Sequence, residues 1–376
     1  MPHPLPHPLP RLIVADSERD PDMLYATRFF APDPFVFLSH RGKSTVLLSD
    51  LEIDRGRRGA RVDEVLALSD WAKRAPSKKG ATFAEQIALF LRSRRIKRVS
   101  VPHDFALGLS QELAAEGIQT VAQSGLFFPE REYKTPAELR TLRRALAVTE
   151  AGMARGIEVL RASQIPRNKV LRWNSRPLTA EILRAEIESA ILRAGGVPAN
   201  TIVAGGEQAC DPHERGSGPL KADTLLILDI FPRLSGAGYF GDMTRTVVRG
   251  RASEAQRQLW HTVLEGQKLA LKTMKPGADG RGIQDAVKNL FTERGYPTEQ
   301  RKGRWCGFFH GLGHGLGLEL HESPRMSATI LKPGQVITVE PGLYYPGLGG
   351  VRHEDVVTVT EKGIRMLSRF PKPLEV

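Results

Sequence analysis

Fifteen residues late in the chain restrict its fold more than any other segment: His310-Gly311-Leu312-Gly313-His314-Gly315-Leu316-Gly317-Leu318-Glu319-Leu320-His321-Glu322-Ser323-Pro324. Glycine at four alternate positions would cost a helix roughly 1 kcal/mol each. The His310/His314 spacing therefore does not read as two zinc ligands on one helical face. In an extended chain, the two-residue period puts His310 and His314 on one side and the glycines on the other, where a neighbouring backbone can approach closely. A lone histidine is usually a core residue, but three within twelve residues, set among glycines, point to a site.

Carboxylates recur at the ends of strand-like runs on either side of this segment. Leu225-Leu226-Ile227-Leu228 closes on Asp229, and Asp242 opens Met243-Thr244-Arg245-Thr246-Val247-Val248 after a glycine-rich turn. A hairpin there would make the two aspartates neighbours. Val336 to Val339 delivers Glu340 just before Pro341-Gly342, and Arg352 and Glu354 stand two apart, hence on one face. Each alone would pass as a turn residue. Two carboxylates held together without a cation repel, so a metal is the economical explanation. Asp229, Asp242, His314, Glu340 and Glu354 supply four carboxylates and one imidazole, a set suited to two hard or borderline divalent ions, Mn²⁺, Co²⁺ or Zn²⁺. Two dications would balance four carboxylates.

At 376 residues the chain exceeds what one core usually organises, and a split into 1–133 and 134–376 is expected. From Arg11 to Glu130, apolar runs such as Phe35 to Leu38, Ser44 to Leu48 and Arg98 to Val101 alternate with helical patterns such as Phe83 to Arg95, which predicts a small α/β domain. It carries no dense cluster of ligand-type residues, so a supporting or gating role is expected. Phe127 to Lys134 reads as a linker, polar and without period. Thr135-Pro136-Ala137-Glu138 then starts a helix as a capping box with proline at its first position. Leu139, Leu142, Leu146, Met153, Ile157 and Leu160 give that helix one buried face. Further helices are predicted from Thr179 to Ala194, from a second capping box at Ser253 and Gln256, and from Gly282 to Arg294. Together with the strand-like runs they make the second domain α+β.

The +12 formal charge could suit a nucleic-acid surface, but the basic residues are scattered and no basic run is interleaved with aromatics, so no nucleic-acid partner is expected. Cys210 and Cys306 are too few for a disulfide framework and too far apart for a metal or redox pair, which fits a reducing compartment. The proline-rich start is expected to be extended rather than a signal sequence. No stretch approaches the roughly 18 apolar residues of a membrane span. A cytoplasmic protein with no membrane partner is the expectation.

With these residues in view, the sequence resembles the M24 metallopeptidases of pita-bread fold, and among them the Xaa-Pro peptidases (prolidase and aminopeptidase P). The resemblance runs from about Thr135 to the C-terminus, and more loosely over a creatinase-type N-terminal domain. The family's ligand order Asp, Asp, His, Glu, Glu falls here on Asp229, Asp242, His314, Glu340 and Glu354. The flanking words match as well: Gly-Tyr-Phe-Gly-Asp-Met-Thr-Arg-Thr, His-Gly-Leu-Gly-His-Gly-Leu-Gly, Val-Glu-Pro-Gly-Leu-Tyr and Gly-Val-Arg-His-Glu-Asp. One departure stands out: the stretch between the aspartates is two residues longer than the commonest family spacing, and Phe231-Pro232-Arg233 replaces the usual glycine. An even insertion leaves both aspartates on their face.

The resemblance implies hydrolysis of Xaa-Pro bonds in dipeptides or at the N-terminus of short peptides, with two divalent ions, and a homodimer. It also implies that His213 and His321 line the substrate pocket with His310, and that Arg352 holds a ligand or a substrate carboxylate. Glu340 is expected to take a proton from the attacking water and pass it to the proline nitrogen. His213 and His321 are expected to meet the charge developing on the carbonyl oxygen. Proline specificity is physically reasonable because its tertiary amide has no N–H to leave unpaired. The competing readings are another M24 hydrolase activity and a non-catalytic pita-bread binding module. An additional N-terminal domain and an intact ligand set argue against them.

Overall fold

Alternating burial explains the first part of the chain. In the computed structural model, which describes residues 9–75 and 80–376, neighbouring residues of the central strands enter two different cores. Leu12, Val36 and Leu38 join one, and Ile13, Phe35 and Phe37 join the other. The strands therefore form a sheet covered on both faces. Its order is Glu64–Ala67, Lys43–Leu48, Phe35–His40, Arg11–Ala15, Arg98–Val101, Gln119–Ala122. The helix Phe83–Ser93 packs on it through Ile87, Phe90 and Leu91. Most of the proline-rich start expected to be extended lies outside the described residues.

The break between the two compact units falls after Arg131. The stretch read as a linker is only partly one. Phe127 and Phe128 are buried in the core of the first unit, stacked edge-on on each other at 5.3 Å, and Pro129–Glu132 forms a 3₁₀ turn. Polarity and the lack of period concealed two adjacent aromatic anchors.

The second unit opens as its capping box predicts. Thr135 and Glu138 cap the helix Pro136–Ala162 reciprocally, and Gly152 and Gly156 let it close on Ile187 and Ile191 of the helix Ala180–Arg193. Three strands pair in the order Ile202–Gly205, Leu225–Ile230, Met243–Val248. Five others pair in the order Glu322–Arg325, His314–Gly315, Val336–Val339, Asp355–Thr360, Gly363–Met366. A separate hairpin joins Gly342–Tyr345 to Gly349–Arg352. The helices Glu254–Thr273 and Gly280–Glu293 bury Leu259, Val263, Val287 and Phe291 against the strands. Among the described residues no helix is long and apolar enough to cross a membrane.

Two expectations about local geometry need adjusting. The glycine-rich segment is, across its glycines, a ladder strand only at His314–Gly315, and its last residues, from Glu322, enter the strand Glu322–Arg325. Its glycines are nonetheless required by close approach, since a Cβ on Gly313 would lie 1.9 Å from the Thr338 carbonyl oxygen and one on Gly315 2.3 Å from that of Ser323. The connection from Asp229 to Asp242 is also no plain hairpin turn, because Arg233–Leu234 leaves to pair with Gly196–Val197.

Candidate metal centre

Strand register builds the site. Asp229 lies opposite Thr244 in the antiparallel pair Leu225–Ile230/Met243–Val248, so the two side chains share a face. Asp242, two residues before Thr244, continues that face. His314 comes from the other sheet, Glu340 from just past the end of Val336–Val339, and Glu354 from the two-residue gap between Gly349–Arg352 and Asp355–Thr360. All nine residues singled out in the sequence (His213, Asp229, Asp242, His310, His314, His321, Glu340, Arg352 and Glu354) line one cavity of about 660 Å³. His213 and His321 are exposed at it, whereas the carboxylates and His314 are largely buried.

The centre holds more negative charge than its protein partners offset. His314 Nε2 lies 3.0 Å from Glu340 Oε1 and 3.8 Å from Asp242 Oδ2. Its Nδ1 donates to the Gly315 carbonyl at 3.0 Å, which turns Nε2 toward the carboxylates. Burial opposes charge on His314, but the hydrogen bond and charge of Glu340, helped by Asp242, raise it to about 9. Glu340 is correspondingly lowered to about 2, burial being outweighed by His314. Asp242 and Glu354 go the other way, pushed well above the ordinary range by burial first and then by neighbouring carboxylates.

Two buried oxygens, Asp229 Oδ1 and Glu354 Oε1, have no hydrogen-bond partner among the described residues. An orphaned buried carboxylate oxygen is costly unless something positive meets it. One donor atom each of Asp242, His314 and Glu354 lies within 4.8 Å of the others, so these three could hold a cation. The donor set, with its orphaned oxygens and displaced protonation, fits a divalent metal.

Arg352 and His310 are tied to the protein more tightly than expected. The Arg352 guanidinium donates to Asp229 Oδ2 at 2.6 Å, Thr244 Oγ1 at 3.3 Å and the Tyr344 hydroxyl at 2.9 Å, and the residue is 3% exposed. The carboxylate it braces is that of Asp229. His310 Nδ1 is 2.9 Å from the Gly311 carbonyl and Nε2 2.9 Å from the Tyr344 hydroxyl. Burial lowers His310 to about 4 and raises Tyr344 to about 12, so Tyr344 donates to His310 while accepting from Arg352. Both ring nitrogens of His310 are committed, and it faces the cavity as part of the wall. Reading period two on the glycine segment placed His310 in the cavity but could not show these partners.

Sequence reasoning passed over several lining residues: Ile202, Phe309, Arg325 and Ser327. Arg325 is cross-strand partner of His314, and its guanidinium has no hydrogen bond or ion pair among the described residues. No spacing rule marks it. Only strand pairing brings it to His314.

Comparisons with known proteins give the family. Residues 140–361 match the model of metallopeptidase family M24, and the chain belongs to that family. Membership implies divalent metal ions. An Xaa-Pro dipeptidase of Pyrococcus furiosus is 39% identical over 179 residues, 46% of this chain and 49% of that relative. The chain thus spans about half the length of the curated relatives first matched. In three dimensions, the prolidase from Pyrococcus furiosus superposes with a TM-score of 0.77 at 25% identity, covering 97% of each chain. The X-Pro aminopeptidase from Thermotoga maritima superposes at 0.82, covering 98% of this chain and 97% of that one, and at 23% identity it speaks for the fold alone. The fold is the expected one, a smaller N-terminal α/β domain followed by a pita-bread domain.

Proposed function

We propose that the chain is a two-metal peptidase that hydrolyses Xaa-Pro bonds, with dipeptides as its main substrates. The observation that carries the metal chemistry is the convergence of four carboxylates and His314 on one cavity, with two buried oxygens unpaired. The name of the Pyrococcus furiosus relative supports the bond. Asp229, Asp242, His314, Glu340 and Glu354 would hold two divalent ions, Mn²⁺, Co²⁺ or Zn²⁺, whose four positive charges balance the carboxylates. When bound, such ions polarise a carbonyl and acidify water.

The chain's own groups do the rest. Thr338 Oγ1 donates to Glu340 Oε1 at 3.0 Å and orients it to take a proton and return it to the departing proline nitrogen. His321, lowered to about 4 chiefly by partial burial, is neutral at pH 7 and donates a single N–H toward the carbonyl oxygen. His213 shares that role from the cavity edge. Arg325, free of a protein carboxylate, is placed to take the substrate's own, through the two-bond fork a guanidinium offers. That favours a short substrate whose carboxylate sits on the proline. Two free, buried cysteines suit a reducing compartment, and a cytoplasmic homodimer completes the reading.

The test is hydrolysis of Ala-Pro and Ala-Pro-Ala by metal-free protein and by protein given Mn²⁺, Co²⁺ or Zn²⁺. Metal-dependent cleavage of Ala-Pro is expected, with Arg325→Ala raising KM for Ala-Pro more than for Ala-Pro-Ala. Full activity in the verified absence of metal sinks the metal reading. Equal effects of Arg325→Ala on both peptides sink the role given to Arg325.

A further inference from the structure

The four histidines of the cavity are not held alike. Both ring nitrogens of His310 are bonded, His314 Nδ1 is bonded to the Gly315 carbonyl, and the His321 ring packs edge-on against His314 with centroids 4.4 Å apart. The His213 ring has no hydrogen bond or ring contact among the described residues. Its place is therefore set by the backbone that carries it.

That backbone is the connection 206–218, which leaves the strand Ile202–Gly205 and returns toward Leu225–Ile230. Its base is closed by a set of fixed bonds. Gln208 Nε2 donates to the Ser217 carbonyl at 3.2 Å and to Ser217 Oγ at 3.0 Å, and Ser217 N–H donates back to Gln208 Oε1 at 3.1 Å. Val203 N–H donates to the Arg215 carbonyl at 3.0 Å. Gly216, at φ +77°, lies so near the strand that a Cβ would stand 1.8 Å from the Val203 carbonyl oxygen.

One side chain ties this closure to the rest of the unit. Arg184, on the helix Ala180–Arg193, donates through Nε to the Thr201 carbonyl at 2.9 Å. Its Nη2 donates to the carbonyls of Arg215 and of Gly216, the latter at 2.8 Å. A planar fork that spans two segments fixes the distance between them, which a lysine ammonium cannot do as well. Thr201 precedes Ile202, the cross-strand partner of Asp229, and Arg215 follows His213 by two residues. Arg184 does not itself line the cavity.

We propose that Arg184 is a positioning residue for His213: by clamping the return of the loop to the strand beside Asp229, it holds the His213 ring where charge develops on the scissile carbonyl. The inference rests on the Xaa-Pro reading above and on the role given there to His213. A donor aimed at the transition state works only when it is fixed in advance, and a displacement of about 1 Å caused from a distance can cost as much as 100-fold in rate. The loss belongs in kcat, because the interaction is made in the transition state rather than with bound substrate.

The experiment is a double-mutant cycle on Mn²⁺-loaded protein with Ala-Pro: wild type, Arg184→Met, His213→Ala and the double variant, with thermal melts and metal content measured on each. Arg184→Met keeps a long apolar stem and removes the donors. It should lower kcat by roughly tenfold and change KM by less than about twofold, with metal content as in wild type. On the His213→Ala background the same change should cost less than about twofold, because the group it positions is gone. Arg184→Lys should lose kcat several-fold in the same pattern, and it carries the cycle should the methionine variant not fold. Equal fold-losses on the two backgrounds overturn the proposal. So do an unchanged kcat, a kcat that follows metal content, and a rise in KM alone. If wild type cleaves Ala-Pro and His213→Ala loses nothing, only this inference falls; if wild type cleaves none, the Xaa-Pro reading falls with it.

Discussion

Glu354 and Asp355 are adjacent acids, both almost fully buried, with opposite surroundings. Asp355 Oδ1 accepts from Arg245 Nη2 at 2.9 Å and Ser368 Oγ at 2.8 Å, while Oδ2 accepts from Lys372 and from Gln267 Nε2 at 3.3 Å. Burial would raise its pKa, but Arg245 and Lys372 outweigh burial and lower it. Glu354 has one partner, Thr244 Oγ1 at 2.8 Å on Oε2, and its Oε1 has none among the described residues. A buried acid whose partners are all protein holds the fold together; one left incomplete waits for a cation.

The largest effect expected from that contrast comes from removing each acid in turn. Asp355→Ala strands Arg245 and Lys372 and should cost about 3–5 kcal/mol of stability, measured by urea unfolding. Glu354→Gln should leave metal-free stability intact or raised, because it removes an acid that burial and neighbouring carboxylates disfavour in its charged form. Its activity should fall by more than the roughly 10–100-fold typical of losing an outer partner of a metal ligand. If Glu354→Gln unfolds as readily as Asp355→Ala yet keeps its metal, the contrast is wrong.

Chelation tests the cavity cluster alone. Metal at one hundred times its Kd stabilises by about 2.7 kcal/mol per site, so wild type should melt at lower temperature after chelator treatment and recover on adding Mn²⁺. Asp355→Ala should show the same metal-dependent shift on a lower baseline. Loss of the shift in that variant would mean the two clusters are one energetic unit.

Tyr344→Phe carries an incomplete bonding set one step outward. Arg352 Nη1 and His310 Nε2 both lose their partner, and Arg352 holds Asp229 less firmly. About a tenfold loss of metal affinity is expected by metal titration. A change in KM alone, with metal affinity intact, would move Tyr344 to the substrate.

The smallest effect belongs to Asp20 in the first unit, a carboxylate raised to about 6, chiefly by burial. It caps the helix Pro21–Thr27 through Met23 N–H at 2.6 Å. Its folded value lies above 3.8, so its stability contribution is fully present below pH 3.8 and is lost as pH rises through 6. Asp20→Asn keeps a capping oxygen. It should therefore stabilise by about 1 kcal/mol at pH 8, allowing for partial exposure, and little at pH 4. No gain at pH 8 would show that the folded carboxyl is not raised. Asp22 and Asp104 stand close enough to raise Asp20 further, yet its carboxylate is already taken up by the helix N-terminus, which is the limit on the contrast.

The sequence by itself carried the parts of this protein that depend on local rules. Capping boxes at Thr135 and Ser253 and strand runs that deliver Asp229 and Glu340 follow from neighbours along the chain, and the structure places them where those rules put them. Local patterns together with the family's words were also enough to nominate the nine residues that meet in one cavity. Tertiary structure alone decided which groups are finished by partners: Arg352 on Asp229, His310 on Tyr344, Asp355 on Arg245 and Lys372. It alone brought Arg325 opposite His314, stood Phe231 beside Ile202, and drew Phe127 and Phe128 into the first unit's core. The reason is physical. Helix and strand signals are written in residues a few positions apart, whereas a hydrogen-bond partner or an apolar neighbour a hundred positions away is chosen by how the sheets pair.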